Sequence, residues 1–386
     1  MENECCKKNI ETGGIISNEK FEGPENIETT DHEKYLGDII SDNGKNTKNI
    51  LNRQNKGHAA SNQVLQILEN IYFGKYYFQA AVALRNSLLV SSMLFNSEAW
   101  YNVTIAEIES LQKIDETCIR KILNAPFATP KLMLYLELGV LPVRYIVKSK
   151  RLNYLHYILN EDNNSLIYQF LQIQLQKPTK KDWGSEVRQN IEELNLGVSL
   201  EDIENIPKST FKKIVRTKIK EHAFNYLVNK KKSKTKDVPH DELKIQEYLE
   251  ANKSEMNVDE KQFLFKCRSR MLELKCNMKN DHLQDLKCSA CGLEDETQMH
   301  LLQCEILNQN VNGESHEIEY KNIFSEDLLK MKETGININM KMKHLFTQFK
   351  SKREPKNEDS NKKRNKMKQI TVKMKPKHFI RSKMNK

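Results

Sequence analysis

From Val64 the chain returns an apolar side chain at every third or fourth position in one segment after another. Val64, Leu65, Leu68, Ile71 and Tyr72 do so, then Ala80, Ala81, Leu84 and Leu88, then Ile108, Leu111, Ile114, Cys118 and Ile122. That is the helical period, which lines the apolar groups along one face. Alternation in twos is scarce. Only KYLGDIISDNGKN (34–46) reads as a short strand, a turn at Asp42-Asn43-Gly44 and a connection. Helix ends are marked too. Thr104-Ile105-Ala106-Glu107 has capping-box spacing, and in TPKLMLYLELG Thr129 is set to cap, Pro130 to take the first helical position and Gly139 to close the helix. Further helices are expected over 141–159, 165–176, 182–195, 209–229, 240–251 and 258–274, with breaks at Pro178, Pro207 and Pro239. Glu326 and Asp327 are read as part of a polar helix. The expected fold class is mostly α, a multi-helix body with little sheet.

One short stretch departs from this pattern. CSACGLEDETQMHLLQC holds Cys288, Cys291, His300 and Cys304 in the order C-x2-C-x8-H-x3-C. Two cysteines separated by two residues form a knuckle that aims both thiolates at one ion. Over 296–304 a helix would put His300 and Cys304 one turn apart on one face, with Leu301 and Leu302 packing it onto the body. Four soft or borderline ligands suit tetrahedral zinc, and four protein ligands leave no open position for a catalytic water, so the expected ion is structural Zn2+. The x8 spacer is too short for a DNA-reading ββα finger, where about twelve residues are usual. Cys276 and His282 are spare ligand candidates. Cys5, Cys6, Cys118 and Cys267 are read as core or incidental thiols.

Charge is uneven. The net +10 hides a basic end, since residues 351–386 hold 14 Lys/Arg against 3 Asp/Glu, a net +11. Residues 1–42 hold 4 basic and 11 acidic side chains, a net −7, whereas 208–236 hold 11 basic and 1 acidic, a net +10. Basic stripes on a near-neutral body are the footprint of a polyanion binder. The residues expected to touch phosphates are Lys148, Lys150 and Arg151 on one helix, and Lys212, Lys213, Arg216, Lys218 and Lys220 on another. Residues 1–33 and 351–386 lack any apolar face and are expected to be disordered. No signal peptide, membrane span or myristoylation glycine is read, so nucleus or cytoplasm is expected, with cysteines reduced. KKRNKMK (362–368) has the composition of a nuclear-import run.

The order of these motifs resembles the C-terminal part of the reverse-transcriptase polyprotein of non-LTR (LINE-type) retrotransposons. Lys34, Tyr35, Leu36 and Gly37 match the strand-turn that contributes that family's primer grip. Residues 73–123 are similar to its helical thumb, 134–159 to the helices after the thumb, and the knuckle falls where such polyproteins carry theirs. The resemblance implies a primer-grip remnant and thumb-like helices over 34–125, a post-thumb region over 126–278, the knuckle over 279–310 and a helical extension over 311–350. Polymerisation in that family needs a Tyr-x-Asp-Asp pair to hold divalent ions, and this chain has no Asp-Asp pair. The family's knuckles often have four residues between the histidine and the last cysteine, where this chain has three. The implied function is therefore a non-catalytic module that binds RNA or an RNA–DNA duplex along its backbone. A palm-containing polymerase segment would be its other partner, with no membrane and no small-molecule substrate. The alternatives are a zinc-stapled α-helical protein-interaction scaffold and a non-functional retroelement relic.

Overall fold

The computed structural model describes residues 30–179, 182–231, 235–277, 285–311 and 320–348. The expected disorder of 1–29 and of 351–386, the run at 362–368 and the spare ligand His282 all lie outside those residues. His32 and Glu33, read as part of the acidic N-terminal segment, belong to a strand. Among the described residues the fold is mostly α, and no helix is long and apolar enough to cross a membrane.

The single expected strand is a hairpin. Strand β1 (His32–Tyr35) pairs antiparallel with β2 (Asp38–Ser41), with Tyr35 opposite Asp38. The chain reverses at Leu36-Gly37, where φ is +47° and +92°, as well as near Gly44. A two-residue hairpin loop of type I′ has positive φ at both centres. Gly37 adopts it freely, and Leu36 is held there because Arg53 Nη2 donates to the Gly37 carbonyl at 2.9 Å.

Helix α1 (Thr47–Asn70) buries Ile50, Ala60, Val64 and Leu68 against the following helices. Helix α2 (Tyr77–Leu84) runs through a π turn, Arg85–Val90, into α3 (Ser91–Met93). The wider turn carries Arg85 inward, where Nε and Nη2 meet the Asp115 carboxylate at 2.7 and 2.6 Å. Helix α4 (Ile105–Ile122) opens with the expected capping box. Glu107 N–H donates to the Thr104 hydroxyl at 3.2 Å and Thr104 N–H to the Glu107 carboxylate at 2.9 Å. Such caps stabilise by about 1 kcal/mol. The same device starts α9 (Leu200–Ile203) from Ser199 and α11 (Val258–Arg268) from Asn257.

Helix α5 (Lys131–Leu138) is closed by Gly139 as expected, in the left-handed region at φ +63°. Thr129 does not cap it. Met133 N–H takes the Pro130 carbonyl instead, and the Thr129 hydroxyl is buried without a partner. Gly139 also explains why 240–251 is not the expected helix. A Cβ on Gly139 would lie 2.0 Å from the Lys244 carbonyl carbon, so that segment lies directly on α5. Gln246 N–H donates to the Glu137 carbonyl at 3.0 Å and Ile245 bridges to Leu138, and only Glu247–Leu249 makes a 3-10 turn. Bonds to α5 have replaced helical ones. Helix α11 likewise stops at Arg268 rather than 274. Arg270 turns left-handed at φ +56°, and Met271 N–H reaches back to the Lys266 carbonyl at 2.8 Å. That is the six-to-one bond of a helix end.

The long α6 (Val143–Leu159) is central, packed by α4, α7 (Leu166–Gln176), α8 (Trp183–Leu194) and α10 (Lys208–Asn229). A second group wraps α14 (Leu328–Gln348) with α11, α12 (Gln298–Gln303) and α13 (Glu305–Val311). One hydrophobic cluster, from Ile50 to Leu345, joins the two groups. Glu137 is a polar pin inside it. Fully buried, it accepts from Arg268 Nε at 3.1 Å and from the Tyr248 hydroxyl at 2.8 Å, and His240 Nε2 lies 3.1 Å away. Burial alone would raise its pKa, but Arg268, His240 and Tyr248 hold it down at about 2. Breaking such a pair from one side costs about 3–5 kcal/mol, because a buried charge is left alone.

Candidate metal centre and basic surfaces

Cys288 and Cys291 sit on a tight turn. Cys288 N–H donates to the Glu294 carbonyl at 2.7 Å and Gly292 N–H to the Cys288 carbonyl at 2.8 Å. Gly292, at φ +69°, lets the chain turn back. His300 is in α12, capped by the Thr297 hydroxyl, which accepts His300 N–H at 3.1 Å. The helix ends one residue before Cys304, and Cys304 N–H still donates to the His300 carbonyl at 2.7 Å, so one helical turn separates the two ligands. Leu301 and Leu302 are buried. Beneath the turn, buried Glu296 accepts from Ser289 N–H at 3.1 Å and from the Ser289 hydroxyl at 2.7 Å, and from Lys275 N–H at 3.1 Å.

The four ligand atoms all lie within 4.8 Å of one another and can hold a metal ion. Cys288 Sγ is 4.0 Å from Cys304 Sγ, and Cys291 Sγ is 3.2 Å from His300 Nε2. A tetrahedron with arms of about 2.0–2.3 Å has edges of about 3.3–3.8 Å, which these distances bracket. His300 Nδ1 faces the Glu294 carboxylate at 3.0 Å, which fixes the ring with Nε2 toward the thiols. Burial pushes the Cys288 thiol up to about 12 and raises Cys304. Burial acts the same way on Cys291, but the N–H groups of Leu293 and Glu294, together with the Cys288 and His300 side chains, bring it down to about 7. A dication is the group that would let all three ionise together. Cys276 lies outside the cluster. Cys118 and Cys267 are core thiols, both raised by burial.

The two expected basic clusters differ. On α6, Arg151 is not on the surface. It is 7% exposed, pairs with Glu186 at 2.7 Å and donates to the Trp100 carbonyl at 2.8 Å. Lys150 pairs with Glu98 at 2.7 Å and caps the Leu94 carbonyl at 2.7 Å, and Lys148 pairs with Glu193. The trio expected to meet phosphates is therefore engaged internally, by carboxylates that are distant in sequence and close in space. On α10, Phe211, Val215, Ile219, Ala223 and Leu227 face the core. Lys212, Lys213 and Arg216 are exposed and Lys220 half-buried, and among the described residues none of the four holds an ion pair. Lys218 pairs with Glu221 at 3.4 Å.

Lys34 and Tyr35 lie in β1 and Leu36 and Gly37 form its turn, with Tyr35 and Leu36 exposed. The hairpin is anchored through Asp38 to Arg53, whose guanidinium lies 4.8 Å over the Phe95 ring. The sequence reading missed Arg53, Arg85, Asp115 and Glu137, all polar residues on helices or strands that read as amphipathic. For Arg85 and Glu137 the signal was a charge set among apolar neighbours, in LRNSLL and YLELG, whereas Arg53 sits in polar NRQ. No family model, curated protein or solved structure matches the chain.

Proposed function

We propose that this chain is a non-catalytic nucleic-acid-binding module, in which Cys288, Cys291, His300 and Cys304 hold a structural Zn2+ and α10 meets the phosphate backbone. The observation that carries the reading is the unpaired stripe of Lys212, Lys213, Arg216 and Lys220 on a helix whose other face is buried. Four phosphate contacts would give a slope of log K against log salt of about −3 to −4. Such contacts track RNA or an RNA–DNA duplex without choosing sequence. Descent from the C-terminal part of a LINE-type reverse transcriptase, with catalysis left to a separate palm segment, belongs to the same proposal.

Zinc is favoured by the donor set, three sulfurs and one imidazole within 4.8 Å of one another, with all four positions filled by protein. One zinc per chain is expected by elemental analysis, and a Cys304→Ser chain should lose it.

The test is binding of a primer–template hybrid across a salt series by the full chain and by a Lys212→Glu, Arg216→Glu, Lys220→Glu variant. The basic tail is common to both, so their difference reports α10. A steep slope that flattens in the variant is the expected result. Equal slopes would remove α10 from the interface and leave a zinc-stapled interaction scaffold as the better reading.

A further inference from the structure

Beside the C-terminal end of α10 lies a groove of about 1280 Å³, walled by α4, the 125–131 loop, α5, the start of α6, the end of α10, Thr235 and the 271–277 segment. Its lining sets cations beside aromatic rings. Arg120 donates to the Pro126 carbonyl at 2.9 Å and the Thr129 carbonyl at 2.8 Å, which fastens the loop to α4. The loop presents Phe127 with 95% of its surface exposed and the Arg120 guanidinium 5.9 Å from its ring. Across the groove, Arg144 and Lys230 lie 5.1 and 4.4 Å from the Tyr226 ring and donate to its hydroxyl at 3.2 and 2.8 Å. Lys113 is exposed and, among the described residues, holds no ion pair. Two carboxylates also line the groove, Glu109 and Glu116, and Lys131 pairs with Glu116 at 3.0 Å. The balance is five cations to two carboxylates. The buried, unpartnered hydroxyl of Thr129 lines the same space.

A ring left bare on a fastened loop contributes nothing to this chain's own core. It is a platform for a flat apolar partner. Nucleobases are flat and apolar-faced and come joined by anions, which matches one uncovered aromatic ring, Phe127, set among cations. The groove also continues the stripe described above. Lys220 is in α10 and Lys230 is the residue that follows its last turn. They lie about 15 Å apart along the helix axis, or four to five base-pair steps. The geometry points to a single-strand subsite: the groove takes unpaired bases of a nucleic acid whose duplex part lies on α10. One base stacks on Phe127, and phosphates meet Lys113, Arg144 and Lys230. This rests on the nucleic-acid reading above and adds to it where the unpaired strand goes.

The test uses the zinc-loaded full chain and one RNA–DNA hybrid, blunt or carrying an overhang of about eight nucleotides, within the range one such groove tracks. The overhang should tighten binding about 10-fold or more, since each stacked base is worth about 5- to 150-fold. Phe127→Ala should lose that gain and leave blunt-duplex affinity unchanged, and Phe127→Trp should keep it. Phe127 is exposed, so neither variant threatens the fold. If the overhang adds nothing, or adds as much in Phe127→Ala, the subsite proposal is overturned while duplex binding by α10 stands. If neither hybrid binds, both proposals fall, and a polypeptide becomes the occupant to seek.

Discussion

Helices α6 and α10 pack on each other and each carries a run of cations, yet the run at 148–151 of α6 is paired within the chain while α10 leaves its own open to a ligand. The reason is what stands opposite. Helix α8 brings Glu186 and Glu193 to α6, and the stretch before Trp100 brings Glu98. Among the described residues, the outer face of α10 meets no such carboxylate beyond its own Glu221. A cation's role is thus set by the nearest anion in space. Charges that are spent inside hold helices together, and charges that are unspent outside can hold a polyanion.

The sharpest way to break this comparison is Arg151→Ala. It should lower stability by about 3 kcal/mol, seen as a fall in the urea midpoint, because half-buried Glu186 and the Trp100 carbonyl lose the partner they share. The salt slope of nucleic-acid binding should not move. An unchanged midpoint with a flattened slope would reverse the roles assigned to the two helices.

Acid separates the two kinds of charge next. The folded pKa of Glu137, about 2, lies below its ordinary value of 4.5. Its contribution is fully present above about pH 4.5 and is lost as pH falls toward 2, roughly 3 kcal/mol in all. An acid-unfolding curve should show that loss, and Glu137→Gln should shrink it. A curve insensitive to Glu137→Gln would show that the pin is not where the stability lies.

Reversing Lys212, Arg216 and Lys220 should cost about 2 kcal/mol of binding, roughly 30-fold, at low salt. Thermal stability should stay within about 0.5 kcal/mol, as expected for a surface change. A marked loss of stability would mean that these side chains are also engaged internally. The smallest effects belong to Lys148→Gln and Lys150→Gln, each at most about 1 kcal/mol of stability, because those pairs are partly solvated.

Periodicity and caps were readable because they are local. The Thr104–Glu107 box, the Gly139 stop, the buried line of α10 and the Cys/His spacing all depend on residues within a few positions. The fate of Lys148, Lys150 and Arg151 was not readable, because their partners lie 45, 52 and 35 residues away in the chain. The 240–251 segment failed for the same reason. Its helical pattern was overridden by α5, which approaches at Gly139 and takes its backbone bonds. Leu36 hid the hairpin turn, since a leucine at positive φ goes against its usual preference.

The Glu137 pin bears on how the chain is made. Arg268 follows Glu137 by 131 residues. At a synthesis rate of about 5–20 residues per second, α5 waits roughly 7–26 s after its emergence for the cation that lets its carboxylate be buried. Throughout that interval Glu137 is better left in water, so the stretch around α5 gains little by closing early. Assembly of the helices on either side is thereby timed by translation, and a ribosome paused between α10 and α11 would hold a nascent chain whose α5 is still wet at Glu137.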